Sequence, residues 1–179
     1  MISIKKENEI ELMRVAGSIT AGALDEISKY IKPGISTLEL DKIAEKFIIN
    51  KGAKPAFLRY NGFPNSICAS IDEVVVHGIP KTDLILEEGQ IIGIDVGAKY
   101  HGYCGDAART FAVGKVSEEK QKLMRVTKEC FFKAIENLKE GSRLGDIGYE
   151  IEKHARKYGF NVAENFGGHG IGKDMHEDP

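Results

Sequence analysis

The sequence is short of cysteine, of long apolar runs and of net charge, and each shortage excludes something. Cys68, Cys104 and Cys130 are odd in number and lack CxxC spacing, which argues against a disulfide framework and a structural zinc site, so each reads as a reduced, partly buried thiol. No apolar stretch approaches the roughly 20 residues needed to span a bilayer. The opening Met-Ile-Ser-Ile-Lys-Lys lacks the apolar centre of a signal peptide, so the expected compartment is the cytosol. A net charge of -2 gives no basic footprint for DNA or RNA. What is present, 179 residues of which 42% are hydrophobic and 29% charged, suffices for one sizeable core and most simply one domain.

Helical periodicity runs over residues 6–31, with Ile10, Met13, Ala16, Gly17, Thr20, Leu24, Ile27 and Ile31 on one face and Pro33-Gly34 as the stop. A second helix starts at Ser36 or Thr37 and stops at Gly52, turning Leu38, Leu40, Ile43, Ala44, Phe47 and Ile48 inward. Residues 56–58 and 66–76 read as strands separated by Asn61-Gly62-Phe63-Pro64-Asn65. After Gly114 the layout recurs. Leu123-Met124-Arg125-Val126 repeats Leu12-Met13-Arg14-Val15, and Gly141 and Gly159 stand as far apart as Gly34 and Gly52. A duplicated α-α-β half follows, about 1–114 and 115–179, within an α/β body whose two halves converge on a ligand.

Residues 91–111 are the centre of that body. Two β-prone runs flank Lys99-Tyr100-His101-Gly102, each with one aspartate, Asp95 and Asp106. A turn at Tyr100-His101 brings the two directly opposite each other, where like charges repel unless a divalent cation intervenes. The other reading is a plain hairpin with two solvated aspartates. Of the five histidines, His169 has four glycines within six residues, which clears room for a ligand or merely loosens a loop. His77 ends an apolar strand and serves a site or caps the strand. His176 follows His169 by seven residues, which fits a substrate-facing role better than shared ligation. His101 and His154 read as solvated.

The segments Val-Val-His-Gly-Ile-Pro at 75–80, Ile-Asp-Val-Gly at 94–97, Gly-Asp-Ala-Ala-Arg-Thr-Phe at 105–111, Gly-Gly-His-Gly-Ile-Gly at 167–172 and His-Glu-Asp-Pro at 176–179 resemble, in order and interval, the type I methionine aminopeptidases. Met-Arg-Val-Ala-Gly at 13–17 and the 32–41 segment extend the resemblance over essentially the whole chain. It implies a pita-bread α/β fold with two pseudo-symmetric halves around a curved antiparallel sheet, a dinuclear metal centre and removal of the initiator methionine. Carried over residue by residue, Asp95 binds one metal, Asp106 bridges both and His169 binds the second. His77 and His176 contact substrate as catalytic residues, and Tyr60, Phe63, Cys68 and Met175 wall the methionine pocket, Met175 at a position more often aromatic. The implied cofactors are two divalent ions among cobalt, manganese, iron, nickel and zinc. The implied partners are N-terminal methionyl peptides of nascent proteins and, at their source, the ribosome, with neither DNA nor membrane, for a monomer.

The sequence also departs from the family pattern. Two further metal-binding glutamates of the family, one a proton shuttle, come from strands after the His-Glu-Asp-Pro segment, and this sequence stops at Pro179. Glu164 and Glu177 match neither. The expectation is an incomplete chain with an exposed apolar sheet edge, weak or single-site metal binding and little activity. Two alternatives stay open: an X-Pro peptidase of the same fold, and a non-catalytic pita-bread binding protein.

Overall fold

This computed structural model describes residues 2–136, 138–164 and 166–178. Two compact units make up the chain, residues 1–116 with 168–179 and residues 117–167.

The first unit opens with α1 (Glu7–Ser28) and α2 (Thr37–Asn50). Along α1 the buried residues are Ala16, Ile19, Thr20, Ala23, Leu24 and Ile27, spaced three and four apart, so the apolar stripe forms from Ala16 onward, whereas Ile10, expected inward, is exposed and the helix ends short of Ile31. Ser36 caps α2. Its hydroxyl accepts from the Glu39 N–H at 3.2 Å, while the Glu39 carboxylate accepts from the Ser36 N–H at 2.9 Å, which fixes the start of the helix.

The sheet is antiparallel. Strands β1 (Lys54–Pro55) and β2 (Ile67–Ile71) pair with β3 (Ile91–Tyr100), and β3 also pairs with β4 (Tyr103–Ala112). Two-residue alternation gives β3 two different faces. Ile92, Ile94, Val96 and Ala98 are fully buried in a core with Leu24, Leu40, Ile48 and Ile67, and Asp95 and Gly97 therefore point the other way. That second face is turned away from α1 and α2.

Three expectations need correction here. The expected strand at 56–58 is irregular, pairing being confined to Lys54–Pro55. The expected strand at 66–76 stops at Ile71: Asp72 takes φ 47, and Val74, Val75 and Val76 are exposed, so His77 stands in a loop rather than at a strand end. Three consecutive valines have no alternation to divide between faces. The hairpin turn is His101-Gly102, with φ of 46 and 90, so Gly97 faces Asp106 and Asp95 faces Ala108. A tight two-residue turn needs two left-handed positions, and Gly102 supplies one, which moves the register by two from that expected. A shift of two preserves the face, so the aspartates are diagonal rather than opposed neighbours.

The second unit pairs α3 (Glu118–Glu136) with α4 (Leu144–Lys157) over Val126, Cys130 and Ala155. Gly141 and Gly159 are left-handed, as Gly34 and Gly52 are, and α4 matches α2 at 14 residues. His154 is not solvated: its Nε2 lies 2.9 Å from Glu129 Oε2, and its side chain is 13% exposed. Among the described residues no strand follows α4, where one bridge pairs Gly170 with Glu177, and β4 has no strand on its outer edge. No helix among them is long and apolar enough to cross a membrane.

Candidate active site

Asp95 and Asp106 lie on the face of the hairpin away from α1 and α2, and glycines on both faces let neighbours pack close. A side chain at Gly105 would meet the α1 backbone at Ala16 and Gly17 at 2.6 Å, and one at Gly97 would meet the Phe57 ring at 2.6 Å. Residues 168–178 then return to the hairpin. The Cys104 N–H donates to Gly172 O at 2.8 Å and Lys99 Nζ to Lys173 O at 2.8 Å, while Gly170 and Glu177 exchange both backbone hydrogen bonds. Lys5 pairs with Glu177, leaving that carboxylate no part in the site. A side chain at Gly172 would collide with both members of this pair, so one of the four glycines around His169 clears space for an ion pair rather than for a ligand.

This return brings His169 and His176 over the aspartates. His169 Nδ1 donates to Gly170 O at 2.9 Å, which leaves the lone pair on Nε2, 3.7 Å from Asp106 Oδ2. The His169 and His176 rings are 4.1 Å apart, and Tyr60 Oη lies 2.8 Å from His176 Nδ1. Burial, then the charge of Asp106 and a hydrogen bond to it, push the Asp95 carboxyl up to about 7. Burial raises Asp106 as well, opposed by the hydrogen bond from Asp95 and by the nearby imidazoles. The pair therefore keeps its proton to a higher pH than two solvated carboxylates would.

A cavity of about 650 Å³ opens beside these groups and is lined by Tyr60, Phe63, Cys68, His77, Met175 and His176 together with the two aspartates and His169. All nine residues singled out in the sequence border it. Met175 is buried among Phe57, Cys68 and Cys104. Burial, then Asp95 and Asp106, push the Cys68 thiol up to about 12, so it is a neutral wall and no nucleophile. His77, at φ 59, is aimed by its neighbour: Gly78 O accepts from the Ala69 N–H at 2.8 Å, and a Gly78 side chain would strike Ala69 O at 2.1 Å. Phe57 and Ile79 also line the cavity and had no signal beyond being apolar. Asp41 was missed too. Buried on α2, it accepts from Asn65 Nδ2 and from the Ser66 and Ile67 N–H groups at 2.8 to 3.0 Å, tying down the end of the loop that carries Tyr60 and Phe63.

Residues 11–179 match the sequence profile of metallopeptidase family M24. The chain belongs to that family. A methionine aminopeptidase of Clostridium acetobutylicum is 52% identical over all of this M24 chain and 72% of its own length. Among solved structures, methionine aminopeptidase from Thermotoga maritima superposes with a TM-score of 0.98 at 42% identity, covering 100% of this chain and 72% of that one. Xaa-Pro dipeptidase from Bacillus anthracis superposes at 0.84 with 28% identity, over 98% and 48%. The M24 chain thus has the pita-bread fold, and its family is one of metal-dependent hydrolases.

The donors suit a divalent cation: two carboxylates short of countercharge, and an imidazole whose free lone pair is turned toward one of them. Among the described residues, no three His, Cys, Asp or Glu side chains are already gathered tightly enough to hold an ion. The groups stand as a coupled pair with an imidazole beside it.

Proposed function

We propose that this M24 chain is a cytosolic, metal-dependent aminopeptidase that removes an N-terminal methionine. The observation that carries the reading is the meeting of Asp95, Asp106 and His169 with a cavity walled by aromatic rings and sulfur. An unbranched thioether suits a slot built from Tyr60, Phe63, Cys68 and Met175.

Asp95, Asp106 and His169 would hold the cation, and manganese, iron, cobalt, nickel and zinc all accept such donors. When bound, the cation supplies Lewis acidity that lowers the pKa of a water and polarises the carbonyl to be cleaved. A free α-amine could take an open position on that cation, which would favour a terminal residue over an internal one. The protein's own side chains orient the rest. His176 donates to the oxygen on which charge develops, and His77 hydrogen-bonds near the scissile amide. Three protein donors fit at most one ion, so a titration should show a single weak equivalent, and two tight equivalents would overturn that count.

The Xaa-Pro reading shares the fold, but the compact pocket and the higher identity to the methionine enzymes favour methionine. A non-catalytic role is disfavoured because Asp95, Asp106 and His169 are all present. With a divalent ion, Met-Ala peptides should be cleaved slowly and X-Pro peptides spared; brisk Met-Ala cleavage would overturn the expectation of little activity, and the opposite preference would overturn the methionine assignment. His176→Ala should lower turnover by on the order of 10²–10³ while metal affinity holds, whereas equal loss of both would make His176 a ligand.

A further inference from the structure

We propose that Tyr60 is a positioning residue for His176, deciding which ring nitrogen carries the proton; this rests on His176 being the donor to the reacting carbonyl. The Tyr60 hydroxyl is 2.8 Å from His176 Nδ1, and the two rings stack at 5.4 Å with 21° between their planes. A phenol is a stronger hydrogen-bond donor than a neutral imidazole N–H, so the hydroxyl donates to Nδ1 and the ring proton stays on Nε2. In that tautomer His176 has an N–H to offer on the side away from Tyr60. The other tautomer presents a lone pair there, which repels a developing oxyanion.

The backbone around Tyr60 is built to aim it. Arg59 and Asn61, on either side, both take left-handed conformations with φ of 70 and 47, a region that asparagine adopts readily and arginine seldom does. The turn is closed by Arg59 N–H to Phe63 O at 2.8 Å and Phe63 N–H to Tyr60 O at 2.9 Å. A residue serving only as apolar wall needs its ring alone. Here the hydroxyl is brought to one atom of one imidazole.

Tyr60→Phe keeps the ring and removes the hydroxyl. In the metal-free chain, nitrogen-15 correlation spectra should show the His176 proton on Nε2 and a mixture of tautomers in the variant. An unchanged tautomer in Tyr60→Phe overturns the proposal. With a divalent ion and a Met-Ala peptide, kcat should fall about tenfold with KM held within about twofold. A rise in KM at constant kcat makes Tyr60 a wall residue only and also overturns it. If neither form cleaves the peptide, the peptidase reading fails by itself, and the spectra still decide the Tyr60–His176 pairing.

Discussion

At the scale of single residues, Asp95 concentrates the tension of the site, because it ionises at about 7 in the fold against 3.8 ordinarily. Below the lower value it is protonated folded or unfolded and has no effect. Between the two values the unfolded chain releases a proton that the folded chain keeps, so stability falls as pH rises, and above about 7 the loss is complete. Metal-free protein should therefore melt lower at about pH 8 than at about pH 5.5, by a few degrees. Asp95→Asn should flatten that slope and raise the melting point at the higher pH. A variant no more stable than the parent there would show that the pair stores no such strain. Adding a divalent ion should rescue the parent and not the variant, since binding to the folded state alone stabilises it. That the two aspartates share a face was legible from the sequence. Their register was not, because it depends on which two residues take left-handed turn conformations, and His101 at φ 46 carries no signal for that.

At the scale of elements, what matters is how a helix on one side of the sheet governs a wall on the other. Asp41 reaches from α2 to three donors at Asn65, Ser66 and Ile67, next to Cys68 on β2. Removing the carboxylate leaves buried backbone N–H groups unpaired at roughly 1–3 kcal/mol each before relaxation. Asp41→Ala should thus lower stability by about 2–4 kcal/mol and raise KM for a methionyl peptide, with metal affinity retained, as read by denaturant melts, steady-state kinetics and titration. Intact KM in a destabilised variant would reduce Asp41 to a structural tie. The helices were legible because their apolar spacing, the Ser36–Glu39 cap and the terminal glycines are local. The short strands were not. Extended apolar segments such as Val74–Val76 look alike until a pairing partner is found for them, and these three have none.

At the scale of the whole chain, the two units differ in how much they bury. One surrounds its sheet with a core that includes Leu24, Leu40, Ile48, Ile92, Ile94 and Val96, whereas the helix pair buries Val126, Cys130 and Ala155 and leaves Phe131, Phe132, Leu144 and Tyr149 more than half exposed. Amide exchange should accordingly be slowest in β2, β3 and the buried face of α1, and faster throughout α3 and α4. Equal protection in both units would contradict this division. By itself the sequence determined the helix pairs and the chemical types at the site, because periodicity, caps and glycines act over one or two turns. Only the tertiary structure decided that residues 168–178 fold back onto the hairpin, that Gly172 makes way for Lys5 and Glu177, and that Tyr60 meets His176. Those outcomes join residues up to 172 positions apart, where no local preference reaches and only packing and charge select the partner.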